Sequence, residues 1–569
     1  MQPNATSWRD IIQWAGEVGT FLHPPAPNQI LVRVDHPHHL TQLVQRLREE
    51  AFYLVTVVAN DERELEDHCF KIYYVFSHPE EDLFLIVEYL VEGEHYPSLH
   101  ALYPAMDPFE REMRDLMGLI PHPPRAEQVQ RGSWLHRVYP PDFYPLRRDV
   151  SLQEMRERMA AHAMAPQGEE PLPTPRPGHH ILPVGPIHAG HIEPGRFLFE
   201  IGGEVIEDVT IRLGYAHKGV ERLFQSTFSL NDGWRLAEDV AGDSPFAHSL
   251  AYCHAVETLT QTPVPRPAEH MRGILLELER IYNHITDLAA LAHDVALELY
   301  ANELFLRREH LLRLNQSITG SRFLRGVNRV GGVVLPHPLD VSHVRITLRR
   351  LQEEVEPLVQ SLVRLERFRD RSVSTGILAE EDARRVGATG LVARASGVDR
   401  DYRRLHPWGI YRVPEVQGRL AQLHERIPVS EPFPMGEMRR GDVHARFLTR
   451  AGELFTSLRL VLDLLDMWER GGHRGNQWLT PATPTPANDY AFALGYAEGW
   501  RGDVIYWVMQ DKLGSIYRCK VRDPSMLNWP ALRLALIPHV HEGKRVETIL
   551  PDFPLVNKSF NLSYSGNDL

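Results

Sequence analysis

The chain has 569 residues, of which 43 % are hydrophobic and 24 % charged, and it carries a formal net charge of −13. This length allows two to four domains with a large core, and the acidic balance excludes a general nucleic-acid binder, which needs a basic surface. The most apolar run, residues 83–91, contains Glu88 and is too short to span a membrane. The first ten residues have neither the basic start nor the apolar stretch of a secretory signal, which predicts a cytoplasmic location.

The first predicted domain covers residues 1–150 and combines helices with strands. Residues 38–50 carry apolar side chains at helical spacing. Three segments rich in β-branched and aromatic residues are predicted to be strands: residues 51–60, 70–77 and 83–91. An acidic helix follows, with Asp107 as its expected N-cap and Pro108 at its first position. We predict an α+β domain with an antiparallel sheet.

Residues 151–178 are predicted to be a linker, because a short helix runs into a proline-rich stretch without large apolar residues. The second domain, residues 179–569, opens with a hairpin that is expected to turn at Gly202 and Gly203. Three apolar repeats then predict long helices: residues 267–292, 340–371 and 443–472. The middle repeat alternates spacings of four and three residues, which is typical of a bundle seam, and Pro357 is expected to kink it. Its predicted seam residues are Val344, Leu348, Leu351, Val355, Leu358, Leu362 and Leu365. We predict a helical bundle with small β elements.

Few local motifs indicate chemistry. The three cysteines form no C-x-x-C pair, and no phosphate loop, G-x-S-x-G or H-E-x-x-H motif occurs. His188 and His191 share a glycine-rich and proline-rich loop, where histidines are more often surface residues than ligands. Glu238 and Asp243 lie in an acidic turn, which a solvated helix cap also explains. Asp294 lies on a helix otherwise rich in alanine and leucine and would need a partner if buried. Spacing alone leaves these alternatives open.

Longer segments resemble a known family. FEREMRDLMGLIPHPP and YPPDFYPLRRDV resemble the signature of the smaller, 30 kDa-type subunit of the hydrophilic arm of respiratory complex I. GPIHAGHIEPGRF, PFAHSLAYCHAVE, ELERIYNHI and EGWRGDVIYWV resemble the larger, 49 kDa-type subunit and the large subunits of membrane-bound nickel–iron hydrogenases such as formate hydrogenlyase. The matches cover nearly the whole chain in the family's order, and the fusion itself resembles the formate hydrogenlyase branch. The resemblance implies a large domain like that of the hydrogenase large subunit.

The metal ligands of that family do not carry over. Two C-x-x-C pairs supply four thiolates to nickel and iron in those hydrogenases. The matching positions here are Ala241, Ser244, Ser563 and Gly566. Alanine and glycine offer no ligand, and a neutral serine hydroxyl is a poor ligand for soft metals. The resemblance therefore implies a branch with no nickel–iron centre and no cofactor bound directly by the chain.

A quinone site is the other possibility that the resemblance raises. Complex I uses a loop histidine, a tyrosine and an aspartate, and ungapped matching places these at Ile192, Gly242 and Asp294. His191 is adjacent to the first position. Glu238 matches a carboxylate that transfers protons in the hydrogenases. The candidates for proton and ligand handling are therefore Glu238, His188, His191 and Asp294.

The resemblance implies the large subunit of a membrane-associated redox complex. An iron–sulfur small subunit with a 4Fe-4S cluster would deliver electrons, and antiporter-like and quinone-cavity subunits in the membrane would move ions. NAD chemistry would belong to other subunits, and the chain would lie on the cytoplasmic face of the inner membrane through its partners. Two alternatives stay open: a quinone-reducing subunit of the NADH-quinone oxidoreductase type, and a non-catalytic assembly subunit.

Overall fold

The computed structural model describes residues 8–123, 134–135, 139–140, 142–164, 172–188, 192–481, 490–541 and 543–569. Its N-terminal region contains these elements: α1 (Trp8–Val18), β1 (Thr20–Leu22), β2 (Gln29–Val34), α2 (Pro37–Glu49), β3 (Tyr53–Glu62), β4 (Cys69–Ser77), β5 (Phe84–Val91), β6 (His95–Pro97), a 3-10 turn (Pro104–Met106), α3 (Asp107–Met117) and β7 (Ile120–His122). The predicted helix and the three predicted strands are all present. Helix α3 begins at Asp107 itself, so the N-cap position falls on Met106.

The N-terminal sheet is mixed rather than wholly antiparallel, which corrects the prediction. Its strand order is β1-β2-β5-β4-β3, and β2 runs parallel to β5 while the other pairs are antiparallel. The reason is the crossover through α2, which carries the chain from β2 to the far edge before β3, β4 and β5 return as a meander. Helix α2 buries the four apolar residues that its spacing predicts: Leu40, Leu43, Val44 and Leu47.

Both faces of this sheet are buried, one by its own helices and the other by the large domain. Tyr73 packs against Phe492 with ring centroids 5.1 Å apart, and the Tyr517 hydroxyl donates to the Asp61 carbonyl at 2.7 Å. The buried ammonium of Lys520 lies 2.5 Å from a Glu112 carboxylate oxygen. The two fused regions therefore share one packed interface.

The large region contains the remaining elements. Before the bundle lie α4 (Leu152–Met164), β8 (His180–Val184), β9 (Arg196–Gly202), β10 (Val205–Arg212), α5 (Val220–Ser226) and α6 (Trp234–Ala237). The bundle and its short connecting elements are α7 (Pro245–Leu259), α8 (Arg266–Asp294), α9 (Glu298–Thr319), β11 (Asn328–Arg329), β12 (Gly332–Val334), α10 (Val341–Arg364), α11 (Glu366–Ser372), α12 (Glu380–Arg385), α13 (Gly390–Ala395), α14 (Tyr402–Leu405), a 3-10 turn (Gly409–Arg412), α15 (Pro414–Glu425), a 3-10 turn (Glu437–Arg439) and α16 (Val443–Arg470).

The C-terminal part adds a small sheet and short helices that close over the bundle. These are β13 (Gln477–Leu479), β14 (Phe492–Glu498), β15 (Asp503–Gln510), β16 (Ile516–Arg522), α17 (Ser525–Leu536), β17 (His539–His541), β18 (Lys544–Val546), a 3-10 turn (Leu550–Asp552), α18 (Phe553–Phe560) and α19 (Tyr564–Asp568). The predicted α+β class, with a mainly helical second region, is confirmed. The domain limits at 150 and 178 stay predictions.

Two local details differ from the predictions. Strand β9 pairs Gly202 with Val205 of β10, so the hairpin turn is Gly203-Glu204, one residue later than expected. Gly203 has φ +67°, which glycine adopts without strain. In α10 the buried seam passes through Val359 and not Leu358, because a straight helix drifts away from a strict seven-residue repeat. Among the described residues no helix is both long and apolar enough to cross a membrane.

Candidate functional site

The first corner is the turn of residues 241–244, which lies between α6 and α7 and holds the predicted positions of the first thiolate pair. Helix α7 begins at Pro245, and Ser244 is its N-cap. The backbone of the turn is fixed to α8, since the Tyr282 hydroxyl and the Asn283 amide both donate to the Asp243 carbonyl, at 3.1 and 2.8 Å.

A charged pair fills the centre of this corner. Both terminal nitrogens of Arg501 donate to the Asp243 carboxylate, each at 2.6 Å. The guanidinium is buried and stacks over the Trp500 ring, and its Nε donates to the Asn561 carbonyl. The Ser244 hydroxyl accepts from the Trp500 indole at 3.0 Å. The first corner is therefore built around a fixed cation.

The second corner is residues 563–566, the predicted positions of the second thiolate pair. The Ser563 hydroxyl caps α19 by accepting from the Gly566 amide at 2.9 Å. Asp523 packs against Gly566 and binds His248 Nε2 at 3.1 Å and the Ser525 amide at 2.7 Å. Burial alone would raise the pKa of Asp523, but the hydrogen bond from His248 lowers it to about 2. This corner is closed by a carboxylate that is ionised at neutral pH.

Glu238 is buried at the end of α6, beside the first corner. Its Oε1 accepts from the Gly326 amide at 2.7 Å. Burial raises the pKa of Glu238 to about 7, even though this hydrogen bond and the charges of Arg325 and Arg329 oppose the shift. A carboxyl group with that pKa holds and releases a proton near neutral pH.

The other candidates are separate from Glu238. His188 Nε2 lies 2.7 Å from the Gly195 carbonyl within its own loop. Asp294 Oδ1 pairs with Lys558 at 2.9 Å, and its buried Oδ2 has no hydrogen-bond partner in the described part of the chain. No hydrogen bond joins any two of these three side chains. His191 lies outside the described residues.

Several residues at the corners were not predicted. Glu279 accepts from the Phe246 and Ala247 amides at 2.7 and 3.0 Å, at the start of α7, and burial raises its pKa to about 8. Asp287 binds Arg450 and the Asn561 amide. Arg501 and Glu279 lie in EGWRG and ELERI, segments that carried the resemblance, so the sequence held a signal for their importance. It held none for their pairing.

No cluster suited to a metal ion occurs in the part of the chain that the structure describes, counting groups of three or more histidine, cysteine, aspartate or glutamate side chains. Arg501 lies instead between the two corners, and a guanidinium is a cation in all ordinary conditions.

Comparisons with known proteins agree with this architecture. Residues 33–156 match the family described as respiratory-chain NADH dehydrogenase, 30 Kd subunit, and residues 299–488 match the 49 Kd subunit of the same enzyme. Formate hydrogenlyase subunit 5 of Escherichia coli (strain K12) is 32 % identical over 540 residues, which cover 93 % of this chain and 87 % of that protein. Hydrogenase-4 component G of the same organism is 30 % identical and covers 91 % of this chain and 84 % of its own length.

Two further matches concern the large domain. NADH-quinone oxidoreductase subunit 4 of Thermus thermophilus is 30 % identical over 64 % of this chain and 89 % of its own length. A chain in the structure of the membrane-bound sulfane sulfur reductase, an archaeal respiratory membrane complex, has a TM-score of 0.59 at 23 % identity, over 69 % of this chain and 99 % of that one, and supports the fold. The chain thus belongs to the family of large subunits of membrane-bound hydrogenase and complex I-like oxidoreductase complexes, in the branch that fuses a 30 kDa-type to a 49 kDa-type domain.

Proposed function

We propose that this chain couples electron transfer to ion movement in a membrane-associated oxidoreductase complex, without a nickel–iron centre. An iron–sulfur subunit with a 4Fe-4S cluster delivers electrons to an acceptor at the first corner, and antiporter-like membrane subunits move ions. The electron acceptor is a quinone or another small molecule, and any NAD chemistry takes place in other subunits. The chain itself is peripheral and reaches the cytoplasmic face of the membrane through these partners.

The observation that carries the proposal is the ion pair at the first corner. Ala241 and Gly566 have no donor atom, and the hydroxyls of Ser244 and Ser563 already serve Trp500 and a helix cap. The guanidinium of Arg501, held by Asp243 in two hydrogen bonds, repels a metal cation. These residues do not fit a nickel–iron centre, so no hydrogen chemistry is assigned to the chain.

The same corner favours a neutral acceptor with polar oxygens. A side-chain carbon built on Gly242 would meet nothing within 4 Å, so a ligand can approach the turn there. Arg501 can donate to such an oxygen, and Glu238 can release a proton near neutral pH. Reduction of a quinone to a quinol takes up two electrons and two protons. The partner's cluster supplies the electrons, and Glu238 belongs to the proton route.

Metal analysis of the purified complex tests whether the chain lacks a nickel–iron centre. We expect nickel far below one atom per chain. Stoichiometric nickel that remains after removal of adventitious metal would overturn it.

Enzyme assays test whether the complex reduces a quinone and whether Glu238 takes part in the proton transfer. We measure oxidation of reduced methyl viologen by a short-chain quinone analogue, using the purified complex. Glu238→Gln should lower turnover at least about tenfold, since loss of a proton-transfer group typically costs that much or more. Glu381→Gln, which changes an exposed glutamate far along the chain, serves as the matched control. Loss of activity in His191→Ala would assign the loop histidine a role in quinone binding.

The non-catalytic alternative predicts a different result. If the chain serves assembly alone, a Glu238→Gln and Asp294→Asn double variant assembles and turns over like the unmodified complex. That outcome would leave the family assignment intact and remove the catalytic role.

A further inference from the structure

A polar crevice lies where the two fused regions meet, away from both corners. It has a volume of about 290 Å³ and is lined by the loop before β2, the end of α7, the start of α8, the Gly409–Arg412 turn and strand β14. Helix α7 runs from the first corner to this crevice, and its 15 residues span about 22 Å. The crevice is therefore a separate site, and its role does not depend on the redox proposal.

Most of the charges around the crevice are neutralised. Arg272 and Glu257 form two hydrogen bonds, at 2.7 and 2.9 Å. Glu257 also accepts from the Gly331 amide at 2.8 Å. This pair forms part of the wall and has little capacity left for a ligand.

Two charges in the crevice are not neutralised. The Glu269 carboxylate, in the first turn of α8, makes no hydrogen bond or ion pair with any described residue. The Arg412 guanidinium likewise makes no ion pair with any described residue. Arg412 Nε donates to the backbone carbonyl of Pro407 at 3.0 Å, and its guanidinium also contacts the hydroxyl of Tyr496, which carries no opposite charge. Burial raises the pKa of Glu269, and the nearby charges of Arg272 and Arg412 act against that shift. The opposite charges of Glu269 and Arg412 are thus close enough to interact electrostatically but do not form an ion pair.

Aromatic rings form one part of the wall. His254 holds its Nδ1 against the backbone of Tyr496, at 3.2 Å from the carbonyl, and its ring lies 6.0 Å from that of Trp408. Burial lowers the pKa of His254 to about 4, so the imidazole is neutral at physiological pH. A flat, neutral surface therefore lies beside the two charges.

We propose that this crevice binds a small zwitterion of the amino-acid type, with its ammonium group on Glu269, its carboxylate on Arg412 and its side chain against the aromatic wall. Opposite charges held apart in one cavity are completed by a ligand that carries both charges a short distance apart. Charge-assisted hydrogen bonds to each end provide the affinity, and a cavity of this size suits a small molecule.

The test uses the full-length chain in its purified complex. Each of the twenty standard L-amino acids is screened by saturation-transfer NMR, and binders are titrated by calorimetry. We expect at least one to bind, and we expect its N-acetyl and its amide derivatives, which each lack one charge, to bind at least about tenfold more weakly.

Single substitutions test which crevice residue binds which charged end of the ligand. Glu269→Gln should weaken binding of the amino acid but not of its N-acetyl derivative, which has no ammonium group. Arg412→Gln should weaken binding of the amino acid but not of its amide. Glu415→Gln and Arg419→Gln make the same charge changes on exposed neighbours outside the crevice and should have no effect.

Two results would overturn the proposal. One is the absence of binding by every amino acid at about 10 mM, which corresponds to almost no specific interaction. The other is binding that survives both crevice variants. If a segment of another subunit fills the crevice instead, no amino acid binds and the two variants weaken assembly of the complex.

Discussion

The two corners that are predicted to match the thiolate pairs are packed in opposite ways. At the first corner Gly242 has open space around it, and the Asp243 side chain is 41 % exposed. At the second corner Ser563 caps a helix, and Gly566 leaves no room for a side chain beside Asp523. The first corner has kept charge and space that a ligand can use, whereas the second has become part of the core.

The largest expected effect comes from breaking the second corner at Asp523. Asp523→Ala leaves His248 buried without its partner and removes the acceptor for the Ser525 amide. A buried donor that loses its acceptor typically costs about 1–3 kcal/mol. Two donors lose theirs here, so the free energy of unfolding should fall by about 2–6 kcal/mol. Urea unfolding at pH 7 measures it.

Asp370→Ala, at an exposed aspartate, is the control and should change the free energy of unfolding by less than about 0.5 kcal/mol. The pH dependence has a defined sign. Because the folded-state pKa of Asp523 is about 2, below its ordinary value, its contribution is complete above about pH 4 and is lost as the pH falls toward 2. A loss confined to alkaline pH would contradict this account.

Matched glycine substitutions compare the corners directly. A side-chain carbon on Gly566 would lie 2.6 Å from Cγ of Asp523, which two hydrogen bonds hold in place. Overpacking of this kind costs about 1–3 kcal/mol, so Gly566→Ala should lower the denaturation midpoint. Gly242→Ala meets open space and should leave it nearly unchanged. Equal losses in the two variants would show that the corners do not differ in packing.

Much of the fold could be predicted because its signals are local. Helix α2, the strands of the first sheet, α8 and α16 follow from the spacing of apolar residues over one or two dozen positions. The parallel pairing of β2 with β5 was not predicted, because it depends on where a crossover returns the chain. The seam contains Val359 where Leu358 was predicted, because a straight helix departs from the strict seven-residue spacing that the prediction assumed.

The site could be predicted only in part. The assignment of Ala241 and Gly566 to ligand positions comes from matched motifs, as does the role given to Glu238, and both stay predictions. The cation that occupies the corner did not, because Arg501 and Asp243 are 258 residues apart in sequence and meet only in the folded chain. Asp294 matched a quinone-site aspartate, yet its partner in the structure is Lys558.

A titration of the first corner should give the next largest effect. The folded-state pKa of Glu279 is about 8, well above its ordinary value, because burial disfavours its charge. Between about pH 5 and pH 8 the folded chain therefore holds a proton that the unfolded chain has lost, and the free energy of unfolding falls as the pH rises. One such group contributes at most about 1.4 kcal/mol per pH unit.

Glu279→Gln keeps an oxygen acceptor for the start of α7 and removes the titration. The free energy of unfolding, measured by urea at several pH values, should then decline less steeply between pH 5 and pH 8. Glu381→Gln, at an exposed site, should keep the original slope. Parallel curves for the unmodified chain and Glu279→Gln would assign the slope to other groups.

The smallest expected effect is a difference in how salt changes the stability loss caused by a substitution at each corner. Asp243→Asn weakens a pair whose acidic side chain is 41 % exposed, so solvent screens it and the loss should stay below about 1 kcal/mol. Ser563→Ala removes a neutral N-cap and should cost about 1 kcal/mol. Raising the salt concentration to about 1 M shortens the Debye length to about 3 Å. The cost of Asp243→Asn should then shrink while that of Ser563→Ala stays constant, because only the first corner depends on charges that reach solvent.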